Sequence, residues 1–206
     1  MEAEAITGII LAGGRSARMG SNKALLPVDG KPLLRHLAER MLALGVRRII
    51  VACGTEERGR EYRTLLQGLH GTVGLTADRF PDCGPLAGLH AALSAMPEPG
   101  YGFAMACDMP VISETLFARM GRAAEESASR PQLVRTALQP FHALYHTSAA
   151  EELERRLERG DLRVMPLLNA LLTVELEPAA GEEEAFINLN TPELYERYVH
   201  LRGNRD

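Results

Sequence analysis

Ile6-Thr7-Gly8-Ile9-Ile10-Leu11 runs directly into Ala12-Gly13-Gly14-Arg15-Ser16-Ala17-Arg18-Met19-Gly20-Ser21-Asn22-Lys23. The first six residues are a short apolar run, which reads as a parallel strand buried on both faces. The loop that leaves it carries three glycines and two arginines and ends on a lysine. Glycine lets backbone approach a ligand where a Cβ would block it, and amide N–H groups with fixed cations suit a triphosphate. A Walker A loop would need Gly-x-x-x-x-Gly-Lys-Ser/Thr, but Ser21 and Asn22 separate Gly20 from Lys23. A dinucleotide fingerprint would need Gly-x-Gly-x-x-Gly, which Gly13-Gly14-Arg15 does not supply.

Beyond Lys23 helices and strands alternate. Helices are expected over Pro32 to Leu44, Arg58 to Leu69, Gly84 to Ala95 and Ser113 to Ser127, with Ser113 as a cap. Strands are expected at Arg48 to Ala52, Thr72 to Thr76 and Tyr101 to Ala106. This rhythm predicts an α/β fold, a Rossmann-like doubly wound and mostly parallel sheet. After Arg130 the pattern loosens into a small C-terminal antiparallel extension. Strands are expected at Leu133 to Thr136, Phe141 to Tyr145, Thr173 to Leu176 and Ala185 to Ile187, with an exposed turn over Gly181 to Glu184. Helices are expected at Thr147 to Arg159, Leu162 to Leu172 and from Thr191-Pro192 through Leu201. The expectation is one domain over 1–206, with a nucleotide-binding half over about 1–130 and an acceptor-binding half over about 131–206.

The chain has 206 residues, 46% hydrophobic and 24% charged, enough for a full core. Its formal net charge of −4 argues against nucleic acid as a partner, so the cations of the loop serve a small anion. Cys53, Cys83 and Cys107 are far apart and odd in number, and read as reduced thiols of a cytoplasmic protein. No signal peptide and no run of membrane-spanning length is read, so no membrane is expected.

Cys107-Asp108-Met109-Pro110 follows an apolar strand, which puts the Asp108 carboxylate at the carboxyl edge of the sheet, where open α/β folds bind ligands. A carboxylate facing phosphates calls for a divalent cation between them, and Mg²⁺ is the ordinary choice. The alternative is a turn residue before Pro110. Asp78 follows the Thr72 to Thr76 strand and reads either as a second residue of that edge or as an Asx turn. Gly84-Pro85-Leu86-Ala87-Gly88 enters a helix closely, against a nucleobase or merely against the sheet.

The loop resembles the signature of nucleotidyltransferases. Leu11-Ala12-Gly13-Gly14 with Arg18-Met19-Gly20 and Lys23, Gly84-Pro85-Leu86-Ala87-Gly88, Cys107-Asp108-Met109-Pro110, Pro140-Phe141-His142-Ala143-Leu144-Tyr145 and Phe186-Ile187-Asn188-Leu189-Asn190-Thr191-Pro192-Glu193 occur in the order seen in molybdenum cofactor guanylyltransferases. That resemblance covers nearly the whole chain, and it implies transfer of GMP from Mg-GTP to the terminal phosphate of molybdopterin. It implies nucleotide contacts at Leu11, Ala12, Gly13, Lys23, Asp78 and Asp108, with Asp108 also the Mg²⁺ ligand, and Gly14, Gly54 and Gly84 are expected beside them as backbone contacts. Lys23, Arg18 and Asp108 become the catalytic residues, acting by charge stabilisation, and Arg163, Asn188 and Asn190 the acceptor-binding ones. Other proteins of molybdenum cofactor biosynthesis become candidate partners.

Two departures stand out. Relatives often have an asparagine where this chain has Gly54, which removes a side-chain contact to the nucleotide. They often have two adjacent arginines where only Arg163 remains. A phosphate nucleophile is already deprotonated at neutral pH, so no general base is needed and His142 reads as structural. The glycine loop and Asp108 both lie in the first half, which implies a nucleotide site complete without the C-terminal segment. A cytidylyltransferase, a sugar-phosphate nucleotidyltransferase and a non-catalytic nucleotide-binding regulator remain as alternatives. Retention of both Lys23 and Asp108 argues against the last.

Overall fold

The computed structural model of the chain describes residues 1–14, 22–137 and 139–203. Its strands are β1 (Ile6–Leu11), β2 (Pro27–Val28), β3 (Lys31–Pro32), β4 (Arg48–Gly54), β5 (Thr72–Ala77), β6 (Tyr101–Ala106), β7 (Leu133–Thr136), β8 (His142–His146) and β9 (Thr173–Leu176). Its helices are α1 (Leu33–Ala43), α2 (Glu56–Leu65), α3 (Pro85–Ser94), α4 (Glu114–Glu126), α5 (Ala149–Glu158), α6 (Val164–Ala170) and α7 (Pro192–Gly203). All strands but β2 and β3 form one seven-stranded sheet in the order β5-β4-β1-β6-β8-β7-β9.

Every residue of β1 is buried, as an uninterrupted apolar strand between two helical layers should be. Ile6 and Ile10 face Leu33 and Leu37 of α1 and Leu116 and Met120 of α4. Ile9 and Leu11 face the other layer, with Leu86 and Leu89 of α3, Leu153 of α5 and Leu167 of α6. Each such side chain contributes roughly 1.5–3 kcal/mol on burial, so the β1 position in the sheet is strongly specified.

β1 pairs parallel with β4 and β6, and β4 with β5, so these four strands end on one edge. The extension is mixed: β8 runs antiparallel to β6 and to β7, while β9 runs parallel to β7. Among the described residues no helix is long and apolar enough to cross a membrane.

Some local expectations are corrected. α2 begins at Glu56, capped by the Thr55 hydroxyl on Arg58 N, and ends four residues before Leu69. Pro32 pairs with Pro27 in the β2–β3 hairpin, and α1 starts after it. The Ala185 to Ile187 strand is instead a 3₁₀ turn over Glu183–Phe186. Glu182 lies buried inside the supposedly exposed turn, because its carboxylate accepts from Arg119 Nη1 at 2.5 Å, Thr115 Oγ1 at 3.1 Å and Ala179 N at 2.8 Å.

Candidate active site

Main-chain hydrogen bonds carry on past the strand ends and gather the loops at the carboxyl edge. Ala12 N donates to Ala52 O at 2.9 Å, Asp78 N to Gly54 O at 3.0 Å and Cys107 N to Leu11 O at 3.1 Å. The loops enclose a cavity of about 1250 Å³, lined among others by Gly13, Gly14, Lys23, Gly54, Asp78 and Asp108. Such a volume is larger than most small-ligand pockets, and ample for a nucleotide with a second reactant.

Gly13 and Gly54 explain each other. Gly54 has φ of +78°, and a Cβ on it would stand 3.0 Å from Gly13 Cα and 3.1 Å from Gly13 O. A Cβ on Gly13 would stand 3.0 Å from Gly54 Cα and N. Two backbones therefore touch where β1 and β4 end, and no side chain fits between them. The absence of an asparagine at Gly54 is part of this close packing.

Three residues that sequence reasoning missed hold the glycine loop. Arg58 Nη1 donates to Gly13 O at 2.5 Å and Gly14 O at 3.2 Å, and its guanidinium lines the cavity. The Tyr62 hydroxyl lies 3.1 Å from both Ala12 O and Asn22 Oδ1. Asn22 in turn caps the short 3₁₀ turn Lys23–Leu25 through Ala24 N at 3.1 Å. Arg58 and Tyr62 stand four apart on α2, one turn of the same face, and that spacing was the available signal.

Lys23 Nζ donates to Asp108 Oδ2 at 2.8 Å and to Asn190 Oδ1 at 2.7 Å. Both partners of the ion pair are mostly buried, with side chains 16% and 18% exposed, so the pair is far less screened than a surface one. Asp78 also faces the cavity, and its Oδ1 is buried with no hydrogen-bond partner among the described residues. Burial pushes its carboxyl up to about 6, and the Arg58 charge pulls it part of the way back. Strongly perturbed carboxylates in clefts mark candidate functional residues. Gly84, with φ of +70°, opens α3 beside them, with Pro85 in its first turn, so the positive end of a buried helix meets the cavity.

Of the acceptor residues, Asn188 lines the cavity and donates through Nδ2 to Phe186 O at 2.9 Å. Asn190 reaches Lys23 instead, and Leu189 N donates to Asp108 O at 2.8 Å. The C-terminal segment thus closes on the lysine and aspartate of the first half, which corrects the expectation of a nucleotide site independent of it. Arg163 is not brought to the cavity: its side chain is 76% exposed and its Nε donates to Asp161 Oδ1 at 2.8 Å. Arg18 lies outside the described residues. His142 is fully buried between the rings of Phe103 and Phe186, and burial lowers its imidazole to about 4, so it is neutral and structural.

Among the described residues no three His, Cys, Asp or Glu side chains cluster to hold a metal. The donor set fits a hard cation only in shared form, with a carboxylate from the protein and further oxygens from phosphate and water. Asp108, a carboxylate on a cavity large enough for such a ligand, meets that description.

Residues 8–174 match the family model of the MobA-like NTP transferase domain. The chain is 34% identical over 197 residues to a protein of Natronomonas pharaonis named probable molybdenum cofactor guanylyltransferase, covering 93% of this chain and 95% of that one. It is likewise 34% identical over 198 residues to the molybdenum cofactor guanylyltransferase of Pseudomonas paraeruginosa, covering 94% of each. The fold is similar to that of molybdopterin-guanine dinucleotide biosynthesis protein A from Archaeoglobus fulgidus. The TM-score is 0.80 at 23% identity, over 97% of this chain and 100% of that one.

Proposed function

The chain belongs to the MobA-like NTP transferase family and is a nucleotidyltransferase, and from that premise we propose that it transfers GMP from Mg-GTP to the terminal phosphate of molybdopterin, releasing pyrophosphate. The observation that carries this reading is the Lys23–Asp108 pair, 2.8 Å apart on a cavity that Gly13 and Gly14 also line. A cation and a carboxylate so placed suit a polyphosphate and the metal that accompanies it.

The acceptor phosphate attacks the α-phosphorus in line, and the bond to the pyrophosphate oxygen breaks as the new P–O bond forms. The nucleophile is already ionised, so the chain's task is positioning and charge stabilisation. Lys23 turns its ammonium from Asp108 to the phosphate oxygens and stabilises charge on the departing pyrophosphate. Arg58 fixes the two loop carbonyls so that Gly13 and Gly14 amides stay turned to the ligand. Asp78 accepts hydrogen bonds from the nucleoside through the oxygen that has no partner among the described residues. We assign Asn188 and Phe141, which also line the cavity, to the acceptor. Asp108 would hold Mg²⁺ together with phosphate oxygens, and the ion would supply neutralisation of the triphosphate.

The test is pyrophosphate release from GTP and from CTP, with molybdenum-loaded molybdopterin and Mg²⁺. GTP-dependent release that falls at least about a hundredfold in Asp108→Asn, with the fold retained by circular dichroism, is expected. Turnover of CTP alone would instead make the chain a cytidylyltransferase, and no turnover with either would leave a nucleotide-binding regulator.

A further inference from the structure

We propose that the segment from Leu189 through α7 is a strap that positions Lys23 for the polyphosphate, with Asn190 as its positioning residue. The inference rests on reading the cavity as a nucleotide site.

Among the described residues, polar contacts join this strap to the chain that leaves the glycine loop. Asn190 Oδ1 accepts from Lys23 Nζ at 2.7 Å. The Tyr195 hydroxyl donates to Pro27 O at 2.7 Å. Arg202 Nη2 lies 3.2 Å from Asp29 Oδ2. The strap itself is anchored: the Leu189 side chain is fully buried, and its N–H donates to Asp108 O at 2.8 Å. Thr191 then caps the start of α7, its hydroxyl accepting from Leu194 N at 3.4 Å. One short segment therefore fixes the main chain at Asp108 and the side chain of Lys23 together.

The chemistry explains why this acceptor is an amide. Lys23 is a long, flexible cation with three donors. Asp108 both fixes its ammonium and cancels its charge, whereas the Asn190 carboxamide fixes it and leaves the charge whole. A neutral acceptor is what a lysine needs if its positive charge is to be spent on phosphate oxygens. Asn190 on this account acts through Lys23, on the nucleotide side of the cavity, and does not recognise the acceptor directly.

Isothermal titration of the full chain with Mg²⁺ and GTP or GMP tests this in a cycle of wild type, Asn190→Ala, Lys23→Ala and the double variant. Asn190→Ala is expected to weaken GTP about tenfold, the worth of one hydrogen bond to a charged group, and GMP less than about twofold. In the Lys23→Ala background the same change should do nothing further, because its target is gone. Asn190→Asp should keep the melting temperature of the wild type and weaken GTP more than Asn190→Ala does, since a carboxylate holds the ammonium but neutralises it. If Asn190→Ala fails to fold, Asn190→Asp and Tyr195→Phe carry the comparison. Additive losses, equal losses for GTP and GMP, or unchanged GTP affinity with a raised acceptor KM would each overturn the proposal. A wild type that binds CTP and not GTP would overturn the guanylyl reading alone, and the same cycle is then read with CTP and CMP. A wild type that binds neither would overturn both.

Discussion

Asp78 shows how one side chain can be held in a state that costs the folded protein stability. Its Oδ1 is buried without a partner among the described residues, and burial lifts the carboxyl from an ordinary 3.8 to about 6. The folded chain therefore binds a proton on Asp78 more tightly than the unfolded chain does. Stability from this group is lost as pH rises from about 4 through 6, and above that the full penalty is present. Asp78→Asn removes the penalty, and after discounting for its partial exposure the gain at pH 7 is of order 1–2 kcal/mol. We expect the variant to melt higher than the wild type at pH 7, with the gap closing as the pH falls below about 4. Nucleotide affinity should fall in the same variant, the ordinary trade between stability and function. Melting curves at several pH values beside a nucleotide titration check this, and a variant less stable at pH 7 would mean that Asp78 has a partner in solution. Lys23 and Asp108 were legible because each terminates a recognisable motif. Asp78 was legible only as a choice between site and turn, since nothing in Asp78-Arg79-Phe80-Pro81 says how deeply the carboxylate is buried.

At the scale of elements, the apolar runs carried most of the fold. β1 and β6 fall where their hydrophobic stretches put them, because a strand between two helical layers is apolar along most of its length, and β7 and β9 fall at their expected places although Arg135 and Glu175 interrupt their apolar residues. The β2–β3 hairpin was missed although its signal was present: Asp29-Gly30, both with positive φ, is a two-residue turn dipeptide. Two-residue strands show no alternation, so the turn was the one clue. The 3₁₀ turn at Glu183–Phe186 was misread for the opposite reason. Ala185-Phe186-Ile187 is apolar like a strand, but the buried Glu182 pair with Arg119 fixes the chain in a tight turn there. The contact between the ends of β1 and β4 was not legible at all, because no local pattern reports that two glycine backbones touch. Gly54→Ala tests it. A Cβ 3.0 Å from Gly13 Cα, on a residue with φ of +78°, should destabilise the chain by about 1–3 kcal/mol. It should also push the glycine loop away from Arg58 and weaken nucleotide binding. A thermal melt and a GTP titration report the two effects. An alanine variant with wild-type stability and affinity would show that the loop does not depend on this contact.

The whole molecule joins its two halves through the middle of the sheet and through the site. β6, the last strand of the first half, pairs along Tyr101 to Met105 with β8 of the second, burying Phe103, Leu144 and Tyr145 between the layers. The C-terminal segment returns to the first half at Lys23, Asp108 and Pro27. Separating the halves would expose that strand edge and break these bonds together, so unfolding should be one cooperative transition. The chain has no tryptophan, and its five tyrosines span both halves, from Tyr62 on α2 to Tyr198 on α7. Urea curves read by far-UV circular dichroism and by tyrosine fluorescence should therefore coincide. A nucleotide at about a hundred times its Kd should move both probes together by about 2.7 kcal/mol, because a ligand that binds the intact edge stabilises every element joined to it. Tyrosine signals that divide into an early and a late phase, with the nucleotide shifting the late one alone, would mean that the halves fold as separate units. The C-terminal segment would then dock on a nucleotide half already formed, and its contacts with Lys23 and Asp108 would belong to a late step of folding.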